Sequence, residues 1–96
     1  MNIFIKKFGT TLVSRQTGKE AFAALHGRIQ GLKPGEDIIL DFRGVITLSP
    51  GWADEFLTPL WQKYGQRILL QKTSNASVET TIKFLEGIHK MSFRRV

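Results

Sequence analysis

The sequence predicts an α/β fold: a small, mainly parallel sheet with three helices packed against it as one sandwich. Three observations predict it. Short runs of β-branched and aromatic residues alternate with longer stretches whose apolar residues recur at three- and four-residue steps. Glycine, proline and asparagine punctuate the boundaries between them. The resulting order, strand then helix three times over, needs crossover connections, and crossovers make neighbouring strands parallel.

Ile3, Phe4 and Ile5 read as a first strand, turned by Lys6-Lys7-Phe8-Gly9, with Leu12-Val13 as a short extended piece. Ser14 to Gln30 reads as a helix. Thr17 and Glu20 have capping-box spacing, and Ser14 is an alternative N-cap. Ala21, Phe22, Leu25, Ile29 and Leu32 form its apolar stripe. Gly18 and Gly27 weaken this helix, and Gly31, Pro34 and Gly35 end it. Asp37 to Phe42 is apolar on both faces, as a buried central strand requires. Arg43-Gly44 turns the chain, and Val45 to Leu48 runs semi-extended to Ser49-Pro50-Gly51. From Trp52 the helical period returns through Phe56, Leu57, Leu60, Trp61 and Tyr64, with Pro59 predicting a kink or an early end near Leu57. Arg67 to Gln71 is a third strand, and Asn75 or Ser77 caps a last helix whose buried side is Val78, Ile82, Leu85 and Ile88. The tail from Met91 reads as a frayed end or a final edge strand.

Ninety-six residues, 42% hydrophobic and 23% charged, fit one domain spanning 1–96 and one core. No cysteine is present, which removes disulfides, thiolate metal sites and cysteine nucleophiles. No apolar run approaches a signal peptide or a membrane span, so the expected setting is the cytoplasm, with no membrane. Net charge is +6, from 14 Lys and Arg against 8 Asp and Glu, with the excess at the two ends: Lys6, Lys7, His89, Lys90, Arg94 and Arg95. Such a distribution reads either as a solvated rim or as a surface for nucleic acid or an acidic partner. Trp61 and Phe93 are apolar residues open to a dimer contact.

Catalytic signatures are missing. There is no phosphate loop, no dinucleotide fingerprint and no His-x-x-x-His. His26 and His89 stand alone in the sequence, without the positioned partner that a general base needs. Asp41 sits near the carboxyl end of the central strand, where open α/β sheets place their sites. Asp54 and Glu55 are adjacent on a helix, so they diverge and instead suit a helix N-terminus through its dipole. A receiver-type phosphoaspartate pocket needs a longer chain. An enzyme is therefore not expected, and no cofactor is called for.

The strand, turn and helix from Asp41 to Phe56 are the most informative segment. They place Ser49 just before exposed backbone N–H groups, where it either caps the helix or carries a phosphate that those groups would stabilise. Asp41-Phe42-x-Gly44-Val45, then Leu48-Ser49, then Trp52-Ala53-Asp54-Glu55-Phe56 resembles a STAS-like bacterial domain family with a phenylalanine-alanine-aspartate-glutamate motif at this point. Phe8-Gly9 and Ser14-Arg15 resemble its entry motif, so the likeness spans Phe8 to Ile88. The family is similar to the STAS domains of anti-sigma factor antagonists, which bind a serine-kinase-like ATPase and are switched by serine phosphorylation. The resemblance implies a regulatory, non-catalytic module docking a protein partner through residues 48–56, with Ser49, Gly51, Trp52, Asp54, Glu55 and Arg15 as site residues. Gly51 stands where the antagonists carry their phosphoserine, and Trp52 replaces the family's phenylalanine. Arg15 matches the family's arginine and is expected to reach Asp54 or Glu55, gripping a carboxylate with two nitrogens. Two other readings remain: a nucleotide or phosphorylated-ligand binder at the same helix mouth with Arg15, and a nucleic-acid accessory protein using the basic ends.

Overall fold

A computed structural model covers residues 1–96. The chain runs β1 (Asn2–Phe4), β2 (Thr11–Leu12), α1 (Arg15–Arg28), β3 (Ile38–Asp41), β4 (Thr47–Leu48), α2 (Pro50–Tyr64), β5 (Ile68–Leu70), α3 (Ala76–His89) and β6 (Arg94–Arg95). The main sheet has the order β1-β3-β5-β6 with every pair parallel, and β2 and β4 form a separate parallel pair. The α/β class and the three helices are as the periodicity predicts.

Strand order in the main sheet advances in one direction only. Each crossover is expected to be right-handed, so all three connecting helices fall on the same face. Burial agrees with this geometry. Ile3, Leu40 and Leu70 stand in register and join Ala21, Leu25, Trp52, Phe56, Leu60, Val78, Ile82 and Leu85 in one core. The alternate positions Asn2, Phe4 and Arg94 are exposed and Ile39 is half-buried. Leu69, on that second face, is the one buried apolar residue outside the core.

Four expectations need correction. Ile5 leaves the first strand for a one-turn 3-10 helix, Ile5–Phe8, because folding back there buries its side chain completely. Pro59 does not end α2, which continues to Tyr64. A mid-helix proline costs about 3 kcal/mol, but Phe56, Leu57 and Leu60 on the flanking turns are fully buried at about 1.5–3 kcal/mol each, which outweighs it. Ile88 is exposed, and the buried side of α3 consists of Val78, Thr81, Ile82 and Leu85. Phe93 is buried rather than presented to a dimer partner, with its ring edge-on to Trp61 at 5.3 Å. The tail forms an edge strand, β6, held by Val96 N–H to Leu70 O at 3.0 Å. No helix is long and apolar enough to cross a membrane.

Candidate functional site: the mouth of helix α2

Ser49 caps α2, Pro50 occupies its first turn, and the preceding β4 delivers the chain from the sheet side. The Ser49 hydroxyl is engaged twice: it accepts from Trp52 N–H at 3.2 Å and donates to Val13 O at 2.8 Å. Ser49 N–H in turn donates to Leu12 O at 2.9 Å. Of the two sequence readings, the geometry matches the cap. A phosphate on this oxygen would remove the bond to Val13 and set negative charge against that carbonyl.

The other site residues divide into an inner and an outer group. Trp52, counted from sequence among the docking residues, is 1% exposed, its indole stacked on Phe56 at 4.8 Å and near Phe8 at 6.3 Å. Its added size fills the core between Phe8 and Phe56 rather than the surface. Gly51 lies beneath the Arg15 side chain, since a Cβ there would stand 3.1 Å from Arg15 Cγ. Gly51, which the sequence likeness sets against the antagonists' phosphoserine, is thus roofed by an arginine.

Asp54 is where the helices are tied together. One Asp54 oxygen accepts from Arg15 Nη1 of α1 at 3.1 Å. The other accepts from Thr58 Oγ1 at 2.8 Å and meets His89 Nε2 of α3 at 2.9 Å. Burial pushes the carboxyl upward, but the hydrogen bonds from Thr58, Arg15 and His89 outweigh it and hold Asp54 below the ordinary carboxylate range. The expected two-nitrogen grip is absent. Instead the single Nη1 lies between two acids, with Glu55 Oε2 at 3.9 Å. Neither acid is in the first turn of α2, where the helix dipole acts, so the dipole reading gives way to this tie. His89 was not legible as a partner: 35 residues separate it from Asp54.

Helix α3 runs beside the start of α2. Ser77 Oγ accepts from Leu48 N–H at 3.1 Å, Thr81 Oγ1 donates to Leu48 O at 2.7 Å, and His89 reaches Asp54 one and a half turns further along α2. Phe84 and Ile88 follow Thr81 by three and seven residues and so lie on its side of α3, toward the end of that helix. Both are more than half exposed, as are Val13, whose carbonyl binds Ser49, and Ile46, whose carbonyl accepts from Asn75 at 3.3 Å. Sequence pattern alone marks none of the four as exposed.

Asp41, at the carboxyl end of β3, is buried and bound by Arg43 through Nε at 2.9 Å and Nη2 at 2.7 Å. The Arg43 side-chain hydrogen bond is the main reason its carboxyl lies below the ordinary range. It stabilises the turn into Gly44 and stands apart from the α2 mouth. His26 stacks on Phe22 at 5.6 Å, a packing role.

The model of the STAS-like domain of unknown function (DUF4325) matches residues 24–80, more than half of the chain. The chain belongs to that family. The match takes in β3, the Ser49 corner and all of α2, while Arg15, Phe84, Ile88 and His89 lie outside it. No curated protein and no solved structure matches the chain.

Proposed function

We propose that the protein is a non-catalytic regulatory module that docks a protein partner at the mouth of α2, without a cofactor. The observation that carries this reading is that Val13 and Ile46, both more than half exposed, stand on segments whose carbonyls bind Ser49 at the start of α2 and Asn75 at the start of α3, with Phe84 exposed further along α3. Exposed apolar residues beside a polar helix start favour a partner surface over plain solvation. The partner class follows from the family likeness: a serine-kinase-like ATPase, as for the anti-sigma factor antagonists. Docking here does not depend on phosphorylation of Ser49, whose hydroxyl is committed to the cap and to Val13.

Two features favour docking over phosphorylated-ligand binding. Arg15 is already held by Asp54 and Glu55, and the Gly51 position lies under its side chain. The test is a titration of the purified protein against a serine-kinase-like ATPase encoded beside its gene, read by calorimetry. Wild type is expected to bind, and Phe84→Ser with Ile88→Ser to weaken binding at least about tenfold, as for residues at the centre of an interface. Equal affinity of wild type and this double variant would refute the reading.

A further inference from the structure

The one-directional strand order puts the helices on one face of the main sheet and leaves the other without a helix. Wholly parallel sheets occur almost only with both faces covered, so a bare parallel face is an unpartnered surface. Its in-register residues are Asn2, Ile39, Leu69 and Arg94 across the middle and Phe4 beside Asp41 toward the carboxyl ends. Asn2, Phe4 and Arg94 on the edge strands are exposed, while Ile39 is half-buried and Leu69 and Asp41 are buried between them. Phe4 is 50% exposed, and the Arg43 guanidinium lies over its ring at 5.8 Å from the centroid.

Charge identifies what this face fits. The carboxyl ends of the strands lead directly into cations: Lys6 and Lys7 after β1, Arg43 after β3 and Lys72 after β5. Lys6 packs along Gly44, where a Cβ would meet its Cδ at 2.6 Å, so it stands beside the Arg43 turn. The one acid at that end, Asp41, is buried and neutralised by Arg43. Elsewhere the acids are largely consumed internally, with Asp54 and Glu55 on Arg15 and Glu79 and Glu86 on Arg95. Lys6, Lys7, Lys72 and Arg94 have no carboxylate partner within salt-bridge distance, and all four are exposed.

We infer that this helix-free sheet face, with Phe4 and Arg43 as its stacking platform and Lys6 and Lys72 at the carboxyl ends of its strands, binds single-stranded nucleic acid. An aromatic ring beside a guanidinium on an open sheet takes an unstacked base, and rim cations take the phosphates. A duplex, which keeps its bases stacked, has no use for the ring. The surface is separate from the α2 mouth, so each can fail without the other.

Fluorescence anisotropy with labelled twelve-nucleotide dT and rU strands, a duplex of the same length and an acidic polyglutamate peptide tests this. The single strands should bind at low salt, with log K falling against log salt at a slope of about −2 for about three neutralised phosphates. Phe4→Ala should weaken them about fivefold or more, the loss of one stacked base, and Lys6→Gln with Lys72→Gln should flatten the slope. Phe84→Ala should change nothing, and unfolding curves confirm that each variant folds. Absence of single-strand binding overturns the inference. So does duplex binding of equal strength, binding insensitive to both sets of variants, or binding of the acidic peptide in place of the oligonucleotides.

Discussion

Gly18 of α1 meets the backbone of Trp52 in α2 so closely that a Cβ on Gly18 would stand 3.0 Å from Trp52 Cα and closer still to its carbonyl oxygen. The two helices cross at a point that admits only hydrogen. This contact sets Arg15, one turn earlier on α1, over Gly51 and within reach of Asp54. A glycine that weakens its own helix thus builds the site's scaffold.

Gly18→Ala is therefore expected to destabilise the protein by about 1–3 kcal/mol, the range for overpacking a close contact, although alanine is the better helix former. Gly27→Ala in the same helix meets nothing within 4 Å. That variant should gain about 0.5–1 kcal/mol. Urea denaturation of both separates the tertiary effect from propensity.

Acid should weaken the fold through Asp54 and Asp41. Both carboxyls lie below their ordinary value of 3.8 in the folded protein. Their contribution is fully present above that value and is lost as pH falls through the lower folded one. Unfolding free energy measured from pH 6 to pH 2.5 should thus decline below about pH 4, and Asp54→Asn should reduce that slope while lowering stability at neutral pH.

Asn75 performs two tasks with one side chain. Its oxygen accepts from Val78 N–H to cap α3, and its nitrogen donates to Val45 O at 2.8 Å, pinning the loop that leads to β4. Asn75→Ala should cost about 1–2 kcal/mol. Asn75→Asp keeps the cap but replaces the donor by a second acceptor facing a carbonyl. Hydrogen exchange should then rise at residues 44–47 and stay low in the first turn of α3.

Local chemistry was readable in the sequence, and long-range relations were not. The apolar run of β3, the stripes of α1 and α2 and the cap Ser49 follow from short-range patterns, and of the alternatives offered for the other two caps the structure has Ser14 rather than Thr17 and Asn75 rather than Ser77. Arg15 and Asp54 were paired by a family pattern. What was misread depended on distant partners. Pro59 looks like a helix end until the burial of its neighbours is known. Gly18 looks like a defect until Trp52 arrives, and His89 looks solitary until α3 folds onto α2. Ile88 fits the period of a buried stripe, yet it stands near the end of α3 and is more than half exposed.

The most direct test of docking at the α2 mouth is site-specific photocrosslinking in the native cell, with benzoylphenylalanine at Pro50, Phe84 or, as a control on the side of α1 turned away from Gly18 and α2, Glu20. The account predicts one common crosslinked partner from Pro50 and Phe84 and none from Glu20. Crosslinks from Glu20 alone, or unrelated partners from Pro50 and Phe84, would contradict it.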